Sequence, residues 1–159
     1  MDTTVRSLHD LFRGGHRAIE AACEGAAAEA LNWRPVAGAN TISGLVHHAV
    51  ASERFWLRFG LGLPPMPRDR EAEFASEVSD SAELLALVRA AETDVAAALS
   101  EVDAARLGEV LDPASLPFVL PDGPKEITRM WCVIHALEHA REHAGQMMLT
   151  RQLWDNGQR

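Results

Sequence analysis

The chain has 159 residues, 47% of them hydrophobic and 24% charged, with a formal net charge of −8. Those values are ordinary for a globular protein, and the length suits one domain, 1–159, around one core. The acidic excess argues against a nucleic-acid surface, which needs clustered Lys and Arg, and against adsorption to anionic membranes.

The N-terminus, Met1 to Asp10, meets an acidic residue at once and has no long apolar stretch, so no signal peptide is expected. No apolar run approaches the length of a membrane span. Cys23 and Cys132 form no close-spaced motif and read as buried thiols in a reducing cytoplasm. With no tyrosine in the chain, no phenol can act as a general acid.

From about Thr4 to Ala28 the residues Leu8, Phe12, Gly15, Ile19, Ala22 and Ala26 recur at steps of three and four, which predicts a first amphipathic helix. Its other sides carry Arg6, His9, Arg13, His16, Arg17 and Glu20, and both histidines read as solvated there. The Gly14–Gly15 pair lowers helix propensity and suits a close crossing. Pro35 and Gly38 punctuate a loop, after which Asn40 or Thr41 can N-cap a second helix running to about Phe59. At about 100° per residue, His48 shares a face with Leu45, Ser52, Phe55, Trp56 and Phe59. The neighbouring His47 instead shares one with Ser43, Arg54 and Arg58. His48 therefore points inward and His47 outward.

The stretch 60–79 is a Pro- and Gly-rich connection, with room for a helical turn around Arg70 to Phe74. Asp80 and Glu83 have the spacing of a capping box. A third helix, Ser81 to Leu99, buries Leu84, Val88, Ala91, Val95 and Ala98, and leaves Glu92 and Asp94 in solvent. The stretch 100–125 is irregular again. Within it Leu116 to Pro121 reads as extended, and Phe118 and Val119 are placed to cover one mouth of the bundle. Pro124 suits a first helical position, and a fourth helix runs to about Trp154, closed by Asn156–Gly157. Four helical patterns and no convincing strand predict an all-α four-helix bundle with long connections.

The last helix carries His135, His139 and His143 at steps of four. His139 and His143 lie on a stripe with Cys132, Ala136, Gln146, Thr150 and Trp154, and His135 sits roughly 60° to one side. Solvated histidines or a core histidine bonded to a backbone carbonyl would each explain part of this pattern. Three inward imidazoles from two helices, His48, His139 and His143, instead match a bundle-core metal site with an open coordination position. HALEH and HAREH also fit the inverted zinc-protease pattern H-x-x-E-H. That class takes a glutamate well downstream, and the only acid after His143 is Asp155 at the helix end. Gln146 reads equally as a residue orienting a ligand or bound water and as a helix–helix hydrogen bond. Gly145 reads as a site of close helix approach, and Cys132 as a small core residue.

The blocks Thr41 to Leu57 and His135 to Gly157 resemble the DinB-like family of bacterial metalloenzymes. The resemblance falls on Gly44, Leu45, His48, Glu53 and Trp56, then on His139, His143, Gly145, Gln146 and Arg151. It implies a helical bundle, a divalent ion such as zinc or nickel held by His48, His139 and His143, and frequent homodimers. Related members use mycothiol or bacillithiol as S-transferases, or mycothiol as maleylpyruvate isomerases. Three functions follow as expectations. The first is an enzyme that uses the metal to activate a low-molecular-weight thiol against a small-molecule electrophile. The second is a metal-dependent hydrolase, for which Glu53 is the nearest candidate base although it lies off the histidine face. The third is a non-enzymatic stress protein that binds a metal or a small ligand.

Overall fold

In the computed structural model, which describes residues 2–64, 66–118, 124 and 126–157, four long helices carry the core. They are α1 (Thr3–Cys23), α3 (Ile42–Leu61), α5 (Ser81–Ser100) and α6 (Arg129–Asp155). Two short helices, α2 (Ala28–Leu31) and α4 (Arg70–Ala75), lie in the connections. The all-α expectation holds, with one addition. Strands β1 (Val110–Leu111) and β2 (Ile127–Thr128) pair antiparallel, Val110 opposite Thr128.

Local chemistry sets most boundaries. Thr41 caps α3 by accepting from the Gly44 N–H at 2.9 Å. Asp80 accepts from the N–H groups of Ala82 and Glu83, while Glu83 returns to the N–H and hydroxyl of Ser79 rather than to Asp80. The first helix stops at Cys23, short of Ala28, and Gly25 follows at φ 66 in the left-handed region. The last helix starts at Arg129 rather than near Pro124, because β2 places Thr128 as its N-cap. Its end falls at Asp155, with Gly157 at φ 73. Phe118 is exposed and its ring meets Phe55 and Trp56; Val119, its expected partner over the bundle mouth, lies outside the described residues.

Helices α3 and α1 each pack on both α5 and α6, so α1 and α3 occupy opposite corners of the bundle. The apolar interior falls into two sets. One gathers Ile19, Leu31, Ile42, Leu45, Leu84 and Met147. The other gathers Phe12, Trp56, Leu57, Leu99, Ile127 and Val133. Between them lies a buried polar pair, His16 Nε2 and Glu53 Oε1 at 2.9 Å, reaching across the bundle diagonal. His16 is thus a core residue, against the expectation of solvent. It is four residues after Phe12 and three before Ile19, on their stripe, although the charged Arg13, Arg17 and Glu20 surround it in sequence.

Gly145 also departs from expectation. A Cβ there would meet nothing within 4 Å, so no helix approaches it. The close approaches are at Gly60, where a Cβ would sit 2.6 Å from Cys132 Cβ, and at Gly44, where it would sit 2.9 Å from Phe74 O. The Gly14–Gly15 pair does face a crossing: a Cβ on Gly15 would rest 3.6 Å from Arg141 Cγ of α6.

This packing sets the effect of three substitutions on stability. Gly60→Ala should cost on the order of 1–3 kcal/mol by overpacking α3 on α6. Gly145→Ala, at an exposed helical position, should stabilise by about 0.5–1 kcal/mol, and urea denaturation of both variants checks the contrast. Removing the Glu53 carboxylate from the buried pair (Glu53→Ala) should cost roughly 3–5 kcal/mol. The pair also has a pH signature. Burial opposes the charged imidazole, but the hydrogen bond and charge of Glu53 outweigh it and raise the His16 pKa. The folded state therefore holds a proton that the unfolded chain releases at lower pH. The contribution is complete below the ordinary histidine range and is lost as pH rises through the elevated value. The stability advantage over His16→Gln, read by urea denaturation at a series of pH values, should shrink as pH rises above the ordinary histidine range.

Candidate metal centre

Helix α3 presents His48 four residues after Gly44, on the face packed against α6, and the side chain is buried. Helix α6 presents His139 and His143 one turn apart on its facing stripe, both half-buried. The ring centroids lie 5.0 Å apart for His48 and His139, 5.1 Å for His48 and His143, and 4.4 Å for His139 and His143. One ring nitrogen from each lies within 4.8 Å of the others, a spacing that can hold one metal ion. Among the described residues no other group of three His, Cys, Asp or Glu side chains converges in this way.

His135, expected at the edge of the stripe, is outside this group. Its ring stacks on Trp131 at 4.8 Å and takes the edge of Trp56 at 4.7 Å. His47 donates from Nδ1 to Ser43 O, within its own helix, as its outward phase predicts. Cys132 is a buried thiol packed against Gly60, in keeping with a core role.

The ring nitrogens are assigned by their partners. His48 Nδ1 lies 2.9 Å from Glu73 Oε2 and, as donor, leaves Nε2 with a free lone pair. His143 Nδ1 lies 2.9 Å from Gln146 Oε1, which fixes the same tautomer. His139 has no hydrogen bond to any described residue, and its Nδ1 is buried. Burial is the main force on their protonation. It lowers His48 to about 4, with Glu73 opposing and Arg68 reinforcing. It lowers His139 to about 3, helped by the positive fields of His143 and His48. These two imidazoles are therefore neutral near pH 7, the form that binds metals.

Residues absent from the sequence reading complete the surroundings. Glu73 of α4 is buried against His48, and Arg68 grips it through Nε at 2.8 Å and a terminal nitrogen at 3.1 Å. Phe74 stacks on the His48 ring at 4.2 Å. The sequence signal for these is thin: a carboxylate beside an aromatic in one helical turn of a Pro-rich connection. Farther along, toward the end of α3 and the start of α6, Phe55, Phe59, Leu63, Leu111 and Pro117 line a separate open cleft of about 450 Å³.

A helical bundle with a three-histidine cluster between its second and last long helices defines the class of fold and site. The chain belongs to the DinB superfamily, whose family model matches residues 11–147. A conserved protein of Enterococcus faecalis, known from its crystal structure, shares this fold with a TM-score of 0.78 at 17% identity. The match covers 98% of this chain and 99% of that one. No functionally curated protein matches the chain in sequence. Among the described residues, no helix is long and apolar enough to cross a membrane.

The buried imidazoles predict an acid limit in the metal-free protein. Because folding depresses the His48 and His139 pKa values to about 4 and about 3, the unfolded chain binds more protons from the ordinary histidine range down to those values. Stability should fall as pH drops through that window. His139→Phe should flatten the fall, as read by thermal midpoints from pH 7 to pH 4.

Proposed function

We propose that this chain, acting as one domain, is a divalent-metal-dependent enzyme that activates a low-molecular-weight thiol for transfer to an electrophile. The reaction type is that of an S-transferase or isomerase. The observation behind this reading is the convergence of His48, His139 and His143 with no fourth protein ligand among the described residues. In this reading the three histidines hold zinc or nickel. When bound there, such an ion supplies Lewis acidity that lowers the pKa of a coordinated thiol into the neutral range.

The chain's own thiols support an external sulfur source. Burial pushes Cys23 up to about 12 and Cys132 up to about 11, so neither is a thiolate near neutral pH. A small thiol such as mycothiol or bacillithiol supplies the nucleophile in this account. His48 and His139 contribute neutral lone pairs, and Gln146 orients His143 through Nδ1. Pairing of two copies, and a cytoplasmic setting rich in small thiols, accompany the reading.

The hydrolase alternative loses its candidate base. Glu53 is committed to His16 in the core and is 2% exposed. The stress-protein alternative predicts stabilisation by metal without turnover.

The test is consumption of a chromogenic electrophile by metal-loaded protein with and without candidate thiols. The expected rate requires both metal and thiol, and His48→Ala returns it to background. A rate independent of thiol would transfer the case to hydrolysis. No rate with any thiol, alongside a metal-raised melting temperature, would leave the binding role.

A further inference from the structure

We propose that α4 and Arg68 form a clamp that sets the tautomer and ring plane of His48 before any metal arrives, with Glu73 as its positioning residue. The inference rests on the metal-ligand reading of His48 given above, and deepens it.

An imidazole can ligate through either ring nitrogen, and its ring can turn about χ2 over a broad well. Two contacts from α4 remove both freedoms. Glu73 Oε2 accepts a hydrogen bond from Nδ1–H at 2.9 Å, which leaves Nε2 as the lone-pair donor. Phe74, the next residue, stacks on the same ring at 4.2 Å with 25° between the planes, which resists rotation. The carboxylate is itself held. Arg68 donates to Oε1 from Nε and to Oε2 from a terminal nitrogen, a two-point grip that also offsets the buried negative charge. The same terminal nitrogen of Arg68 also lies 3.2 Å from His48 Nδ1, which cannot be a hydrogen bond once that ring nitrogen carries a proton, so Arg68 acts on His48 through Glu73.

The clamp is seated by backbone. Gly44, one turn before His48, lets α4 approach so closely that a Cβ would stand 2.9 Å from Phe74 O and 3.2 Å from Phe74 Cα. The backbone of a short helix cannot swing aside as a flexible side chain can. The arrangement is unequal among the three histidines. His143 has only the solvent-exposed Gln146 of its own helix, where water can substitute, and His139 has no orienting partner among the described residues. Most of the preorganisation therefore falls on His48.

Zinc affinity measured by chelator competition, together with imidazole 15N spectra of the metal-free protein, tests the clamp. Glu73→Ala, which removes the acceptor altogether, should weaken zinc binding about 10–100-fold, as loss of an orienting partner does elsewhere. It should also shift the His48 15N pattern away from a single Nδ1–H tautomer. Gly44→Ala, which touches no ligand or orienting side chain, should weaken zinc in the same direction by displacing α4. Gln146→Ala should cost less than either. Wild-type affinity and an unchanged tautomer in Glu73→Ala would overturn the clamp while leaving the triad intact. A lowered melting temperature with unchanged zinc affinity would also overturn it, making Glu73 a packing residue only. No zinc binding by the wild-type chain would overturn the triad and the clamp together.

Discussion

The contact between α3 and α6 is the constraint on which the candidate site depends. Gly60 of α3 lies against Cys132 of α6 with no room for a side chain, so the two backbones run unusually close at that level. Closeness there brings His48 within reach of His139 and His143 further along the same pair. A wider separation would leave three isolated imidazoles on facing helices, each needing its own hydrogen bond. The burial that neutralises His48 and His139 comes from the same packing, so ligand geometry and ligand protonation share one cause.

Polar groups are otherwise few in this interior, and the two buried carboxylates among the described residues are each paired with a histidine. His16 and Glu53 bridge opposite corners of the bundle and divide the apolar core into two sets. Such a pair adds little net stability over a well-packed apolar pair, yet breaking it strands a charge. It also restricts register, because α1 and α3 cannot slide by a turn without separating the partners. Glu73 and His48 follow the same rule near the surface end, with Arg68 as the added counter-charge. The thiols obey it in the opposite sense, as small apolar fillers with strongly raised pKa values.

Much of the bundle was legible from residue spacing. The stripe of Leu84, Val88, Ala91 and Val95 and the caps at Thr41 and Asp80 act within one or two turns, so local rules reach them. The inward phase of His48 and the turn at Arg70 were legible for the same reason. His16 was not, because neighbouring charges masked a stripe it shares with Phe12 and Ile19. The start of α6 was not, because it depends on pairing with β1, many residues earlier. Gly145 and Gly60 show the same limit from opposite sides, since a glycine's use depends on what lies opposite it.

What the sequence alone determined is periodicity: which faces of which helices are apolar, and that three histidines fall on such faces. That follows from the 3.6-residue turn, a property of the local chain. Only the tertiary structure decided that the three meet, that Glu73 and Phe74 close on His48, and that Glu53 belongs to His16. Those relations join residues from 25 to 37 positions apart for the two acid–histidine pairs, and packing rather than spacing sets them.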